Sequence, residues 1–216
     1  MKISKIFIYS LHNPTMLYKT KRRLIIGISL VLLIILYIFK NTSVLIRVLS
    51  VIFGLWIFYF LDHAFNINFL PRHYIYITAV LVFGILLSPF YWVSESYDKI
   101  LHFAMPILGS IMVFYMINKL KIELKWKILL TLTTILSLLV ILEIGEYLFD
   151  VFFDLKLQGV YLRDISGFEK LNLVMDKNDD TMMDLILGLI GSTLFSFSKY
   201  IIHTIQKRKL TVLRRF

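Results

Sequence analysis

The sequence predicts an all-α fold, a polytopic membrane helical bundle with six transmembrane helices and both termini in the cytoplasm. Three observations support this prediction. Hydrophobic residues make up 58% of the 216 positions, charged residues only 18%, and the mean hydropathy is +0.77, unlike a soluble domain. The apolar residues form blocks of about 16 to 22 residues, the length that a helix needs to cross ~30 Å of hydrocarbon. The basic residues gather in three segments that six crossings would place on one side of the membrane.

Each apolar block is interpreted as one span. A soluble amphipathic helix would show a polar stripe every third or fourth residue, and the stretch Leu30–Leu36 has no polar residue. The predicted spans are Leu24–Phe39, Val44–Leu61, Tyr74–Val93, Ile100–Asn118, Ile128–Phe149 and Met182–Ile202. Pro71 is expected to begin the helix of the third span.

The basic residues predict the topology. They precede the first span, lie between spans four and five, and follow the last span, and the positive-inside rule makes this side cytoplasmic. Topology therefore explains the net charge of +10, and we predict no nucleic-acid partner. The chain is predicted to form one domain, and the protein is predicted to lie in the plasma or inner membrane. Its parts are a basic cytoplasmic N-terminal segment (1–23), the six-helix transmembrane domain (24–202) with a long extracytoplasmic loop (151–181), and a basic cytoplasmic tail (203–216).

Carboxylates mark a candidate site at the extracytoplasmic ends of spans four, five and six. Each of these spans has a pair of polar residues three or four positions apart, on one helical face. The predicted carboxylate cluster takes in every acid within the spans. Its candidate metal ligands are His102, Glu143, Glu146 and Asp184, supported by Asp98 and Asp180.

A structural interpretation fits some of these acids better than others. Asp98 and Asp180 precede predicted helices, where an aspartate caps free N–H groups. Glu143 and Glu146 approach a helix C-terminus, where the dipole is unfavourable to anions. A charge inside a span costs on the order of 2.5–3.5 kcal/mol, so these acids need a partner: a metal ion, a shared proton, His102 or Lys99.

Three motifs resemble those of a known family. YDKILHF (Tyr97–Phe103), EIGE (Glu143–Glu146) and DTMMDLILGLIGS (Asp180–Ser192) are similar in order and spacing to motifs of the YjdF family of small bacterial inner-membrane proteins. The first motif also resembles the more distant VanZ-like proteins, which are linked to glycopeptide resistance. The resemblance covers Tyr97 to about Ser196. It departs from the family before the first Asp of the third motif, where the stretch DKNDD replaces the family's Gly- and Trp-containing turn. It implies a site at these residues and no particular reaction.

The candidate chemistry leaves several functions open. The chain has no cysteine, which excludes disulfides and thiolate-bound metals, and no HExxH or Gly-rich phosphate loop is present. Carboxylates with one imidazole suit a divalent cation: Mg²⁺, Mn²⁺ or Ca²⁺, and Zn²⁺ less well because there are few nitrogen ligands; Mg²⁺ or Mn²⁺ is the expected cofactor. Such a site predicts a binding or assembly protein, a metal-dependent membrane hydrolase or transferase acting on a lipid or envelope substrate, or a proton- or cation-coupled transporter. The expected partners are the lipid bilayer and a lipid headgroup or small extracytoplasmic ligand.

Overall fold

The computed structural model describes residues 14–39, 41–163 and 171–213, and these residues are mainly helical. Five helices are long and apolar enough to cross a membrane, and the helical stretch Pro71–Leu86 is shorter. The prediction of an all-α membrane bundle is thus confirmed. The helices are α1 (Pro14–Phe39), α2 (Thr42–Ala64), α3 (Pro71–Leu81), α4 (Glu95–Ile117), α5 (Leu124–Phe153) and α6 (Lys177–Leu213).

The helix surfaces are those of a membrane protein. Large apolar side chains such as Phe53 on α2 and Phe197 on α6 are mostly exposed. In water such a surface would be strongly unfavourable, whereas in a bilayer lipid tails cover it. Three of the five long helices, α2, α5 and α6, extend beyond the predicted spans at both ends, because their polar first and last turns continue the backbone hydrogen bonding.

The third predicted span is not one uninterrupted α-helix. Pro71 begins α3 as expected, but α3 gives way to a π-helical turn at Val82–Leu86 and then to a 3₁₀ turn at Ser88–Trp92. Pro89 explains the change, since it has no N–H group to donate and disfavours an α conformation at Ser88.

The chain divides into two compact units, Met1–Ser88 and Pro89–Phe216. In the first unit, α1, α2 and α3 pack on one another. Its polar centre is a buried ion pair between Lys21 Nζ and Asp62 Oδ2, 2.6 Å apart, with both side chains 0% exposed. The Tyr74 hydroxyl and the Phe69 backbone N–H also donate to the Asp62 carboxylate, at 2.6 and 3.0 Å.

In the second unit, α4, α5 and α6 form a three-helix bundle. Small residues allow close packing: Gly188 of α6 lies against Leu139 of α5, and Gly191 lies against the backbone carbonyl of Phe103 in α4. A methyl group at either glycine would collide with these neighbours. The small residues of the GLIGS segment (Gly188–Ser192) therefore let α6 approach α4 and α5 closely.

The connection between α5 and α6 is more ordered than the sequence indicates. Strands β1 (Val160–Arg163) and β2 (Leu171–Met175) pair antiparallel, with Tyr161 opposite Leu173. The loop over 151–181 has no obvious secondary structure in its sequence, and its described part contains this hairpin. Each strand has only four or five residues, too few for a clear alternating pattern.

Candidate functional site

One end of the second unit holds the predicted carboxylate cluster. The first turns of α4 and α6 and the last turns of α5 meet there, because α5 runs antiparallel to the other two helices. Salt bridges and close approaches join side chains across all three helices. Five residues of the candidate site lie within this network: Asp98, His102, Glu143, Asp180 and Asp184.

Lys99 stands among the aspartates and connects α4 to α6. Its ammonium group donates to Asp98 Oδ2 at 3.2 Å, to Asp184 Oδ1 at 2.8 Å, and to Asp180 Oδ1. The sequence offered Lys99 only as one of several partners for the acids. In the structure it is the cation that holds three carboxylates together, all of them largely buried.

His102 faces the same aspartates from the other side. Its Nε2 lies 3.4 Å from Asp98 Oδ1 and 3.9 Å from Asp184 Oδ2. In each of these two aspartates, one carboxylate oxygen therefore faces Lys99 and the other faces His102. Since α4 presents Asp98 and His102 one turn apart, the helix itself sets this spacing.

The opposite edge of the imidazole carries an unsatisfied polar atom. His102 Nδ1 lies 3.7 Å from Glu143 Oε1, beyond hydrogen-bonding distance. Neither atom has a hydrogen-bond partner in the described part of the chain, although His102 is 6% exposed and Glu143 5%. Burying such groups without partners costs about 1–3 kcal/mol each. The pair is thus poised for a small displacement that would bring the two atoms into contact.

Three residues have the geometry of a cation site. Asp98, His102 and Asp184 each offer one ligand atom, and these atoms all lie within 4.8 Å of one another. The two carboxylate oxygens suit Mg²⁺ or Mn²⁺, and the imidazole nitrogen is a donor that transition metals accept more readily than Mg²⁺.

The remaining predicted ligands have other surroundings. Asp180 uses both oxygens, one on Lys99 and the other on the backbone N–H of Gly159 at 2.8 Å. Glu146 lies outside the three-residue group and is partly exposed, although it is close enough to interact electrostatically with Glu143 and His102.

The capping interpretation of Asp98 and Asp180 is wrong. Both lie inside the first turns of their helices, because α4 begins at Glu95 and α6 at Lys177. The cap of α6 is Asp176, whose Oδ1 accepts from the backbone N–H groups of Asn178 and Asp179. The side chains of Asp98 and Asp180 do not cap their helices and instead accept hydrogen bonds from Lys99.

Asp150, one turn beyond Glu146, organises the loop and is not part of the cluster. It accepts hydrogen bonds from the backbone N–H groups of Leu157 and Gln158, at 2.6 and 3.2 Å, and from Lys177 Nζ at 2.9 Å. Together with the Gly159–Asp180 bond, these contacts fix the chain between α5 and β1 over the end of the bundle. Gly159 has a φ of +85°, a conformation that favours glycine.

One prediction about the acids is wrong. The carboxylate cluster does not include every acid within the spans, since α2 continues to Ala64 and so contains Asp62. The predicted span ends at Leu61, before Asp62, and Lys21 belongs to the basic segment that predicts the topology. A basic residue early in α1 and an acid late in α2 were the available signal, because antiparallel neighbours bring such positions together.

Comparison with known families supplies the wider context. Residues 21–205 match the family described as "Predicted membrane protein (DUF2238)". The chain belongs to this family. The match includes the whole carboxylate cluster and the Lys21–Asp62 pair, and it supports a multi-pass membrane protein. Comparison with curated proteins and with solved structures finds no match.

Proposed function

We propose that this membrane protein binds a divalent cation through Asp98, His102 and Asp184. The observation that supports this most directly is the unsatisfied His102–Glu143 pair. With Nε2 directed at the two aspartates, Nδ1 is the atom that would carry the proton when Nε2 binds a metal. The Glu143 carboxylate would then accept a hydrogen bond from this Nδ1–H group. A carboxylate in this position is the usual outer partner of a metal-bound histidine.

The balance of charge supports the same proposal. Five carboxylates (Asp98, Glu143, Glu146, Asp180 and Asp184) face one lysine and one histidine. Even a protonated His102 would leave an excess of three negative charges. Acids inside a helical membrane bundle are unfavourable unless cations or protons neutralise them, and a divalent cation meets most of this need.

We propose six crossings with both termini in the cytoplasm, in which the shorter helical stretch Pro71–Leu86 supplies the remaining crossing and the basic segments set the orientation. Five helices are long enough to span, and Pro71–Leu86 covers about 24 Å at 1.5 Å per residue. This length is shorter than the ~30 Å hydrocarbon core of a typical bilayer. The 3₁₀ turn that follows and a slight thinning of the bilayer would make up the difference. Under this topology the cation site and the β1–β2 hairpin are extracytoplasmic. Reporter fusions at Lys121 and Phe168 should give opposite signals, and identical signals would contradict six crossings.

The resemblance to YjdF proteins, and more distantly to VanZ-like proteins, rests on the residues proposed here. YDKILHF contains Asp98, Lys99 and His102, EIGE contains Glu143, and the third motif contains Asp180 and Asp184. These motifs therefore describe one cluster of interacting side chains and not three separate features.

Metal analysis of purified protein tests the proposal. Protein prepared without chelator should contain about one divalent cation, and added Mn²⁺ should raise its unfolding temperature, because a ligand that binds the native state stabilises it. His102→Ala should abolish this rise. The control is His203→Ala, which changes an exposed histidine of α6 outside the cluster. A metal-free wild type that ignores added cations would overturn the proposal in favour of neutralisation by protons.

A metal-dependent hydrolase or transferase is the second candidate. Three protein ligands leave coordination positions for water, as in catalytic metal sites, and metal-bound water attacks phosphate and ester groups at neutral pH. The substrate class would be a lipid headgroup or another envelope phosphate. Release of phosphate or of a headgroup from liposomes, dependent on Mn²⁺ and on His102, would establish this activity.

The packing around the site favours binding over transport. One helical turn further into the bundle from Asp184 and Glu143, Gly188 lies tightly against Leu139. Because close-packed side chains occupy this level, a permeating cation would need the helices to separate. A transporter therefore receives less support from the geometry than a binding protein or an enzyme.

A further inference from the structure

We infer that Lys99 makes the proposed cation site select Mn²⁺ over Ca²⁺. This inference rests on the proposed function and concerns the type of cation that the site accepts. Its basis is the way in which Asp98 and Asp184 share their oxygens between Lys99 and His102.

Lys99 holds one oxygen of each proposed aspartate ligand. Asp184 Oδ1 accepts from the ammonium group at 2.8 Å and Asp98 Oδ2 at 3.2 Å. The oxygens on the His102 side are Asp184 Oδ2 and Asp98 Oδ1. Each aspartate therefore has one oxygen for a metal ion, and turning both oxygens toward the metal would weaken its bond to Lys99.

The position of Lys99 is itself constrained. Its third bond goes to Asp180, whose other oxygen accepts from Gly159 N–H. Asp180 is 2% exposed and belongs to the first turn of α6, so it cannot follow a large movement of the lysine. Lys99 is thereby held on the side of the aspartates that faces away from His102.

Single-oxygen coordination discriminates between cations. Ca²⁺ takes six to eight oxygen ligands and commonly binds carboxylates through both oxygens, whereas smaller cations accept one oxygen from each carboxylate. The imidazole of His102 adds a nitrogen donor, which Mn²⁺ and later transition metals accept more readily than Ca²⁺. Lys99 thus acts as a positioning residue that limits the number of oxygens offered.

Removing the ammonium group should relax this selectivity. In Lys99→Met both aspartates are released, so Ca²⁺ should gain affinity relative to Mn²⁺, and the ratio of the two dissociation constants should shift by about tenfold, as changes to outer partners of metal ligands commonly produce. A general loss of positive charge would strengthen binding of both ions equally. The ratio therefore separates the effect of coordination from the effect of charge.

The matched control is Lys156→Met. This variant removes the same charge from the loop between α5 and β1, where Lys156 pairs with Asp154 at 3.5 Å and contacts none of the proposed ligands. Its Mn²⁺ to Ca²⁺ ratio should equal that of the wild type. An unchanged ratio in a folded Lys99→Met variant that still binds Mn²⁺ would overturn the role of Lys99 and leave the site itself intact.

Infrared spectroscopy of the wild type provides a test that does not depend on the folding of a variant. Single-oxygen coordination separates the symmetric and antisymmetric carboxylate stretches widely, and two-oxygen coordination brings them together. With Mn²⁺ we expect the wide separation, in the carboxylate bands of the wild type that change when Mn²⁺ is added. A narrow separation would contradict the inference, whereas the absence of any Mn²⁺-dependent band would contradict the proposed function.

Discussion

Two lysines in this molecule meet buried carboxylates, with opposite balances of charge. In the first unit Lys21 pairs with Asp62, and every oxygen of that carboxylate has a donor. In the second unit Lys99 serves three aspartates at once, and the nearby His102 and Glu143 retain unsatisfied atoms.

The difference indicates which cluster is structural and which is available for a ligand. A matched pair with satisfied oxygens gains nothing from a further cation. A buried cluster with more carboxylates than cations, and with polar atoms that lack hydrogen-bond partners, is destabilising by itself, and a bound cation would stabilise it. The first cluster is therefore expected to affect only stability, and the second to respond to metal.

The largest predicted effect concerns the first cluster. Asp62→Ala removes the carboxylate that accepts from the Tyr74 hydroxyl and pairs with Lys21, and should lower the free energy of unfolding by about 3–5 kcal/mol, as breaking a buried ion pair does. The double variant Lys21→Met/Asp62→Asn should be more stable than Asp62→Asn alone, because no lysine then remains beside a neutral amide. Denaturation in detergent measures both, and strictly additive losses would mean that the two side chains are not coupled.

The next effect is expected at Asp150, an acid of α5 whose carboxylate bonds, among the described residues, go to the loop and to the start of α6. Asp150→Ala should cost about 1.5–3 kcal/mol, since the carboxylate accepts from two backbone N–H groups. Lys177 adds little because its side chain is half exposed. The rise in unfolding temperature with Mn²⁺ should stay as in the wild type, and a loss of that rise would place Asp150 within the cation site.

Glu143 provides the sharpest contrast with Asp150 on the same helix. Glu143→Gln should weaken Mn²⁺ binding about 10- to 100-fold without abolishing it, because the residue orients His102 and does not bind the metal directly. Calorimetric titration gives the affinity. Complete loss of binding would instead make Glu143 a ligand, and an unchanged affinity would remove it from the site.

The fold was predictable as far as hydrophobicity determines it. Span length and apolar composition predict helices such as α5 within a few residues, since a lipid environment leaves few alternatives to helices. The break after α3 was harder to predict, because Pro89 signals a local change without saying whether a kink, a π turn or a 3₁₀ turn results. The β1–β2 hairpin was missed because its strands are short and its contacts are mostly with one another.

The candidate site was predictable as a set of residues and not as an arrangement. Helical spacing places Asp98 and His102 on one face, as it does Asp180 and Asp184. What spacing cannot give is the choice of partners: that Lys99 would lie among the aspartates, or that Asp180 would bind Gly159 and not cap its helix. Those outcomes depend on how three helices pack together, which sequence periodicity does not describe.

The smallest effect is predicted for Glu146, one turn along α5 from Glu143. Glu146 is partly exposed and offers no ligand atom to the group of Asp98, His102 and Asp184, so its charge acts on a bound cation from a distance. Interactions of this kind contribute about 1 kcal/mol or less, so Glu146→Gln should weaken Mn²⁺ binding by less than about fivefold. The stability of the metal-free protein should rise slightly, because one of several like charges is removed. Calorimetric titration and thermal unfolding without metal measure the two effects. If Glu146→Gln abolished the response to Mn²⁺, Glu146 would itself be a ligand, and the three-residue site would have to be extended across α5.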